Sequence, residues 1–166
     1  MSGYTLREAE SGDASAIFDL HRAAFETEAE ASLVRSLSED GDIVLSLVAE
    51  SGGAIIGSAI YSRLLMDGED RGGSALAPLG VLPDWQARGV GSALIVEAHA
   101  RLMKSGENLV IVLGDPAYYK RFGFSVEAAR NFSTPYDGPY LMALDLSKNA
   151  PKSGAVTYAN AFADLA

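Results

Sequence analysis

The sequence predicts an α/β (α+β) protein built on a mixed sheet with helices on both faces. The hydrophobic spacing switches between strand and helix periods in the order β-α-α-β-β-β-α-β-α-β-β, unlike the regular β-α alternation of a doubly wound nucleotide fold. The apolar run Leu109–Leu113 is typical of a strand buried on both faces. The 166 residues suit one domain, 1–166, because no repeat, low-complexity tract or linker interrupts them. We expect its core over 4–146 and a short C-terminal extension at 147–166.

The first half of the chain is predicted to contain short strands and two helices. Residues 4–8 alternate as a strand does, and apolar side chains at helical spacing follow in two segments. Ser51-Gly52-Gly53 is a short hairpin connection between two apolar segments. The polar, glycine-rich residues 67–73 are expected to form a loop. The predicted ranges are a strand at 4–8, helices at 13–25 and 28–37, and strands at 43–50 and 54–62.

A strand predicted at 75–81 contains Pro78. Proline has no N–H to donate to a neighbouring strand, so we expect a bulge or a local break in pairing there. Further on, Gly123 is a good residue to terminate a helix. The remaining predicted elements are a helix at 89–104, a strand at 109–113, a short helix at 117–122, strands at 124–127 and 139–146, a short strand at 155–158 and a helical turn near Phe162.

The composition excludes several functional classes. The net charge of −9 argues against general nucleic-acid binding. No apolar run approaches the ~20 residues that cross a bilayer, and the N-terminus lacks a secretory pattern, so we expect a cytoplasmic protein without a membrane partner. The absence of cysteine excludes disulfides, thiolate metal sites and an acyl-cysteine intermediate, and we predict no metal site. Residues 1–60 hold 11 acidic and 3 basic residues, which form either a solvated acidic surface or one that attracts a cationic substrate.

The most informative stretch lies between a predicted strand and a predicted helix. Gln86, Gly89 and Gly91 form the pattern Gln-x-x-Gly-x-Gly, in which glycine lets a ligand approach the backbone closely. The start of a helix has unpaired N–H groups and partial positive charge, which favour a bound phosphate. A triphosphate loop would need a lysine after its last glycine, where Ser92 stands, and a dinucleotide loop would need a small residue in place of Leu94.

These residues resemble motif A of the GNAT superfamily of N-acetyltransferases, Gln/Arg-x-x-Gly-x-Gly/Ala. The resemblance continues at 118–124, Tyr-Tyr-Lys-Arg-Phe-Gly-Phe, which is similar to the family's later motif of a tyrosine four residues before a Gly-Phe pair. It covers nearly the whole chain, from residue 4 to residue 146, and includes the order of the elements. The segments 77–81 and 113–119 resemble a subgroup of uncharacterised small bacterial acetyltransferases.

The resemblance implies a GNAT-like, mostly antiparallel sheet that is splayed between the strands at 75–81 and 109–113. It also implies acetyl-CoA as the acetyl donor, with coenzyme A as the product. Backbone N–H groups at 86–92 would hold the pyrophosphate at the helix start, and the backbone at 79–81 would pair with the pantetheine arm like an added strand. The cofactor-binding residues that it implies are Leu79, Gly80, Val81, Gln86, Ala87, Arg88, Gly89, Val90, Gly91 and Ser92.

Tyr119 matches the position of the family's general acid. A tyrosine is protonated at neutral pH and can give its proton to a departing thiolate. Tyr118 points about 100° away on a helix, so only one of the two is expected to face the sulfur. The alternative role for Tyr119 is packing on the helix face. Asp115 and Pro116 stand where many relatives have an asparagine that helps to hold the cofactor.

An amine must lose a proton before it attacks a thioester, so a general base is also expected. The sequence offers Glu26, Glu28 and Glu30, besides water, and no motif singles one of them out. His21 and His99 lie on predicted helices, and we expect both to be structural.

The resemblance implies direct acetyl transfer to a primary amine of a small molecule or a peptide. The acidic first third hints at a cationic acceptor such as a polyamine, an aminoglycoside-like compound, a protein N-terminus or a lysine. The alternative is a non-catalytic CoA- or acyl-CoA-binding sensor or interaction module with the same fold. A nucleotide-binding oxidoreductase lacks its motif. Both a monomer and a homodimer fit the sequence.

Overall fold

The computed structural model describes residues 3–165, which form a mixed sheet with helices against both faces. The strands are β1 (Thr5–Glu8), β2 (Ile43–Ser51), β3 (Ala54–Met66), β4 (Glu69–Val81), β5 (Leu109–Leu113), β6 (Phe132–Ser133), β7 (Leu141–Asp145) and β8 (Gly154–Thr157). The helices are α1 (Ala14–Phe25), α2 (Ala29–Asp40), α3 (Val90–Lys104) and the single turns α4 (Pro116–Tyr119) and α5 (Val126–Ala129). Short 3-10 segments lie at Ser11–Asp13, Pro83–Trp85, Lys120–Phe122 and Asn160–Leu165. No helix in this part of the chain is long and apolar enough to span a bilayer.

The sheet opens between β4 and β5. Its main strand order is β1-β2-β3-β4-β5-β7, and neighbours in that order are antiparallel except for the parallel pair β4 and β5. The register of that parallel pair ends at Ala75↔Ile111. Both strands continue past this point, β4 to Val81 and β5 to Leu113, so they separate toward those ends. The predicted fold class, a mostly antiparallel sheet splayed at this place, is confirmed.

β4 has a bulge around Pro78, as predicted. Its neighbour β3 pairs Ala59 with Leu79 and Tyr61 with Leu76, so two residues of β4 oppose one residue of β3. The extra residue shifts by one position the alternation of β4 side chains between the two faces of the sheet. As a result, Leu76 and Leu79 pack on the same face of the sheet although they are three residues apart.

Each face of the sheet has its own hydrophobic cluster. Along β5, Leu109 and Ile111 pack with α1 and α2, whereas Val110 and Val112 pack with α3. This alternation explains the continuous apolar run, because both faces of the strand are covered. The buried apolar residues of α3 are Val90, Leu94, Ile95, Ala98 and Leu102. Their spacing is that of a helix with one buried face.

The predicted polar loop at 67–73 is wrong, because β3 and β4 form one long hairpin. The chain turns at Asp67 and Gly68, whose φ angles are 52° and 80°. Glu69 pairs with Met66, so the second strand begins directly after the turn. Residues 67–71 are exposed, so the polarity of this segment reflects the solvated end of a hairpin.

The predicted strand at 124–127 is also wrong. The Ser125 hydroxyl accepts a hydrogen bond from Ala128 N at 3.1 Å and caps the short helix α5. Only an isolated bridge between Ser125 and Ala143 remains of the expected strand. The two-residue strand β6 was not predicted, because two residues are too few to show a period.

The C-terminal segment contributes to the core. The strand expected at 155–158 is β8, which pairs with β3 at Leu65↔Thr157 and with β6 in parallel. The expected helical turn near Phe162 is the 3-10 segment Asn160–Leu165, and Phe162 is buried in the cluster that covers α1 and α2. The tail therefore packs against the rest of the fold.

Candidate active site

A tightly folded loop connects the end of β4 to α3. Gln86 Nε2 donates to the carbonyl oxygen of Val81 at 2.9 Å, which ties the loop back to the strand. Ala87 and Gly89 have φ angles of 62° and 83°, in the left-handed region that glycine adopts most easily. This backbone lets α3 begin at Val90, directly beside the strand end.

The first turn of α3 has N–H groups available for a ligand. Ala93 N donates to the carbonyl oxygen of Gly89 at 3.0 Å, so the N–H groups of Val90, Gly91 and Ser92 precede the hydrogen bonds of the helix. A methyl group added to Gly91 would lie 3.3 Å from the nearest atom, the hydroxyl oxygen of Tyr118. Glycine therefore keeps the space in front of these N–H groups open. Such a helix start favours an anion.

A cavity of about 430 Å³ lies in front of this helix start. Its lining residues are Leu79, Val81, Trp85, Gln86, Ala87, Gly89, Val90, Gly91, Ser92, Tyr118 and Arg121. Eight of the ten residues that the sequence implied for the cofactor are among them. The other two lie nearby. The side-chain position of Gly80 faces α1, where an added methyl group would lie only 2.8 Å from His21 Nδ1. The guanidinium of Arg88 lies 5.2 Å from the ring centroid of Trp85.

Tyr118 on α4 and Arg121 on the 3-10 segment that follows it line this cavity beside the start of α3. Asp115 Oδ1 accepts from Ala117 N at 2.9 Å and so begins the helix as its cap. The Tyr118 hydroxyl lies 3.2 Å from Ser92 Oγ. Arg121 stacks 4.6 Å above the centroid of the Tyr118 ring and donates to Ser92 Oγ at 3.5 Å. A cation and a phenol therefore lie beside the free N–H groups of α3.

Tyr119 lies at a different place, over the end of β5. A methyl group on Gly114, the residue after β5, would be 2.5 Å from Tyr119 Cε2. The Tyr119 ring packs edge-on against Tyr118 and Phe124, with centroid distances of 5.0 and 5.8 Å. Burial, with a smaller effect of the neighbouring Tyr118, raises the pKa of Tyr119 to about 12. Tyr119 therefore keeps its proton at neutral pH, and it packs on the residue after β5 without being among the residues that line the cavity.

The acidic candidates for a general base lie where α1 meets α2, with Glu26 and Glu28 on the connection and Glu30 in the first turn of α2. Glu26 ends α1 with a φ angle of 62°. Glu28 lies 3.5 Å from the guanidinium of Arg22, and Glu30 accepts from the Thr27 hydroxyl at 3.0 Å. These contacts hold the connection together and do not select one carboxylate as a base.

The two histidines are buried. His21 Nε2 lies 3.0 Å from Ser58 Oγ, and the His99 ring packs edge-on against Tyr61 at 5.7 Å. Burial lowers the pKa of each histidine to about 4, so both are neutral at physiological pH. These contacts fit the structural role expected for both.

The central part of the chain matches a known protein family. A family model described as "Acetyltransferase (GNAT) domain" matches residues 42–126, which include β4, the glycine loop, α3 and the tyrosines of α4. The chain belongs to the GNAT family of acetyltransferases.

Several relatives of this GNAT chain are N-acetyltransferases by name. It is 39% identical over 127 residues to the uncharacterized N-acetyltransferase YhbS of Escherichia coli K12, covering 76% of each protein. It is 36% identical over 141 residues to the uncharacterized N-acetyltransferase YjhQ of the same organism, covering 82% of this chain and 78% of that protein.

Two solved structures resemble this GNAT fold over nearly their full length. The E. coli YhbS structure, in complex with CoA, has a TM-score of 0.90 and 33% identity, with 96% of this chain and 92% of that chain covered. A GNAT family acetyltransferase from Brucella melitensis, in complex with acetyl-CoA, has a TM-score of 0.84 and 32% identity, with 98% and 99% covered.

Three residues that line the cavity of this GNAT domain were not among the cofactor-binding residues that the sequence implied, and Tyr118 was considered only as the alternative to Tyr119. Trp85 lies in the 3-10 segment before the loop, and Tyr118 and Arg121 lie on neighbouring turns after β5. The sequence did contain a signal for Arg121. It follows Tyr118 by three residues, and residues at that spacing on a helix share a face. Nothing local marked Trp85.

Proposed function

We propose that this protein is an acetyl-CoA-dependent N-acetyltransferase that transfers an acetyl group directly to a primary amine. The observation that carries the proposal is the cavity that joins the free N–H groups of α3 to the separated end of β4, with Tyr118 in its lining and the Tyr119 ring packed on Gly114 at the end of β5. The CoA and acetyl-CoA complexes of the two solved relatives support the same donor.

The chain offers two kinds of group to acetyl-CoA. The N–H groups of Val90, Gly91 and Ser92, together with the Arg121 guanidinium, suit the pyrophosphate. The β4 edge beyond Ala75 has left β5, so its backbone N–H and C=O groups can pair with the amides of the pantetheine arm. Residues 79–81 pair with β3 on the other edge, which holds this part of the strand extended.

The reaction requires the amine nitrogen to attack the thioester carbonyl carbon, and the C–S bond to break with its electron pair on sulfur. Tyr119 is the proposed proton donor to that sulfur. Tyr118 is less suited, because its hydroxyl is held beside Ser92 at the phosphate end, and the pantetheine arm separates that end from the sulfur. The attacking amine loses its proton to water or to one of the carboxylates Glu26, Glu28 and Glu30. We propose a cationic amine acceptor, because residues 1–60 carry the acidic excess.

The test has a binding arm and a turnover arm. Acetyl-CoA at ~100 times its dissociation constant adds roughly 2.7 kcal/mol, which raises Tm by about 5–11 °C for a domain of this size. A panel of polyamines, aminoglycosides and peptides is then screened for release of free thiol. No Tm shift at millimolar acetyl-CoA refutes the donor. A Tm shift without turnover on any amine assigns the protein to the non-catalytic sensor class.

A further inference from the structure

Two exposed hydrophobic side chains lie at the open end of β5. Leu113, the last residue of β5, is 52% exposed, and Tyr140, which directly precedes β7, is 60% exposed. Leu113 pairs across the sheet with Leu141, and the N–H of Gly114 donates to the carbonyl oxygen of Tyr140 at 3.0 Å. Leu113 and Tyr140 therefore belong to neighbouring strand ends, and we call these two residues the apolar rim.

The apolar rim lies where β4 and β5 have separated. The register between these strands ends at Ala75↔Ile111, two residues before Leu113. Leu109 and Ile111 pack on the face of the sheet that carries α1 and α2, so the alternation of the strand places the Leu113 side chain on that same face. On the other side of the opening, Ala77 of β4 also packs on this face. Both strands therefore present apolar side chains there.

The donor cavity lies on the opposite face of the sheet. Leu79 and Val81 pack in the cluster against α3 and line this cavity. Gly114 continues the alternation of β5, and the Tyr119 ring lies 2.5 Å from the position of a methyl group added to it. An amine must reach the thioester from a direction that acetyl-CoA does not occupy. The exposure of Leu113 shows that the face with α1 and α2 is open to solvent at β5, so this face offers that direction.

We propose that the acceptor is a primary amine with an apolar alkyl or arylalkyl body, and that Leu113 and Tyr140 contact this body. The inference rests on the proposed acetyl transfer and adds the chemical class of the acceptor. Exposed apolar side chains that lie together are typical of binding sites for apolar groups. A leucine and a tyrosine offer apolar area but no charge that would hold a second ammonium group, so the rim favours a monoamine over a polyamine.

The carboxylates that lie near the rim in the sequence are already engaged with the backbone. Asp115 Oδ1 accepts from Ala117 N at 2.9 Å, and Asp137 Oδ1 accepts from Thr134 N at 3.3 Å. Each of them therefore closes a turn of its own segment. The acidic excess of residues 1–60 attracts ammonium ions in general, whereas the apolar rim selects the rest of the molecule.

The first experiment compares amines that differ only in the body. Hexylamine and 1,5-diaminopentane have the same number of non-hydrogen atoms, and the terminal methyl group of the first is an ammonium group in the second. We expect kcat/KM to be about tenfold higher for hexylamine, because an ammonium group against apolar side chains loses its solvation. From propylamine to hexylamine, kcat/KM should rise about two- to fourfold with each methylene group. The change should appear in KM, because the body binds equally before and during the reaction.

The second experiment changes the rim. Leu113→Asn makes this side chain polar at similar size, and kcat/KM for hexylamine should fall about 4- to 15-fold while methylamine, which has no body, stays within about twofold. Tyr140→Ser should act in the same direction. Met103→Gln is the matched control, because Met103 is 51% exposed in the last turn of α3 and becomes polar at similar size. It should leave both amines unchanged.

A binding measurement does not depend on turnover. Each amine is titrated by calorimetry into the CoA-bound protein, where no acetyl group is present to be transferred. The Kd of hexylamine should be about tenfold lower than that of 1,5-diaminopentane. Leu113→Asn should remove most of this difference, and Met103→Gln should keep it.

Three results overturn the inference. The first is equal or better use of 1,5-diaminopentane, and the second is an equal loss for methylamine and hexylamine in Leu113→Asn. The third is a homodimer that Leu113→Asn converts to a monomer in analytical ultracentrifugation, since the rim is then a subunit interface. The proposed function fails differently, through a wild-type protein that releases no thiol with any amine. A protein that releases thiol but prefers diamines rejects only the apolar acceptor.

Discussion

Gly57 provides a direct test of how the position of α3 controls donor binding. Gly57 lies on β3 beneath the first turn of α3, and a methyl group added to it would lie 2.8 Å from Val90 Cγ1 and 3.1 Å from Leu94 Cδ1. Val90 is 1% exposed, and its branched side chain has one strongly preferred rotamer in a helix. Gly57→Ala therefore cannot be relieved by one side chain moving away, and the start of α3 must shift.

The expected magnitude follows from this clash. Overpacking a buried site costs about 1–3 kcal/mol, which lowers Tm by about 2–12 °C in a domain of this size. The shift also displaces the N–H groups of Val90, Gly91 and Ser92 relative to β4. If acetyl-CoA binds tenfold more weakly as a result, the ligand stabilises the protein by about 1.4 kcal/mol less, and the ligand-induced rise in Tm shrinks by about 3–6 °C.

The assay is thermal unfolding with and without acetyl-CoA. Gly12→Ala is the control, because a methyl group at Gly12 meets no atom within 4 Å and the residue has no left-handed φ angle. It should leave the ligand-induced rise unchanged and keep Tm equal or raise it slightly, because alanine restricts the unfolded chain more than glycine does. A Gly57→Ala protein that loses stability but keeps the full ligand-induced rise would refute the argument that Gly57 positions the donor site.

Three further predictions follow from the site and from the buried histidines. Tyr119→Phe should lower kcat by about 10²- to 10⁴-fold, while the acetyl-CoA Kd measured by calorimetry stays nearly constant. Tyr118→Phe should lower kcat far less. If Tyr118→Phe has the larger effect, Tyr118 is the general acid. Arg121→Ala should raise the acetyl-CoA Kd about tenfold at low salt and less at high salt, whereas a salt-independent effect would indicate lost packing on Tyr118. In the folded protein the pKa of His21 and of His99 is about 4, against an ordinary value of 6.5. As the pH falls, the histidines of the unfolded chain therefore bind protons before those of the folded protein, and the stability should fall between about pH 6.5 and pH 4. Each shift corresponds to roughly 3 kcal/mol, and His99→Leu should flatten the dependence of Tm on pH in that window.

The parts of this protein that were predictable are those that a short stretch of sequence determines. Gln86, Gly89 and Gly91 specify a backbone conformation within six residues, and Pro78 marks its own bulge. The strand expected at 124–127 failed because Phe124 and Val126 alternate as in a strand, while the cap of Ser125 on α5 is a local hydrogen bond that the hydrophobic period does not report.

The features that sequence did not reveal depend on contacts between distant segments. Tyr61 looks like an ordinary apolar strand residue until the sheet pairs it with Leu76 and buries its hydroxyl on the α3 face without a hydrogen-bond partner among the described residues. The hairpin at 67–73 is polar because β3 and β4 are long enough to carry it past the helices that cover the sheet. Trp85 joins the cavity only because the 3-10 segment folds it toward the start of α3.

β4 connects the donor site to the opposite face of the sheet. Leu79 and Val81 line the cavity in front of α3, while the side-chain position of Gly80 between them faces His21 on α1. His21 Nδ1 would lie 2.8 Å from a methyl group at Gly80, and its other nitrogen lies 3.0 Å from Ser58, the cross-strand partner of Gly80. The glycine is therefore needed for packing against α1. Substitutions at this one strand should separate the two effects: Gly80→Ala acts through the α1 side, and a larger side chain at Leu79 acts through the cavity itself.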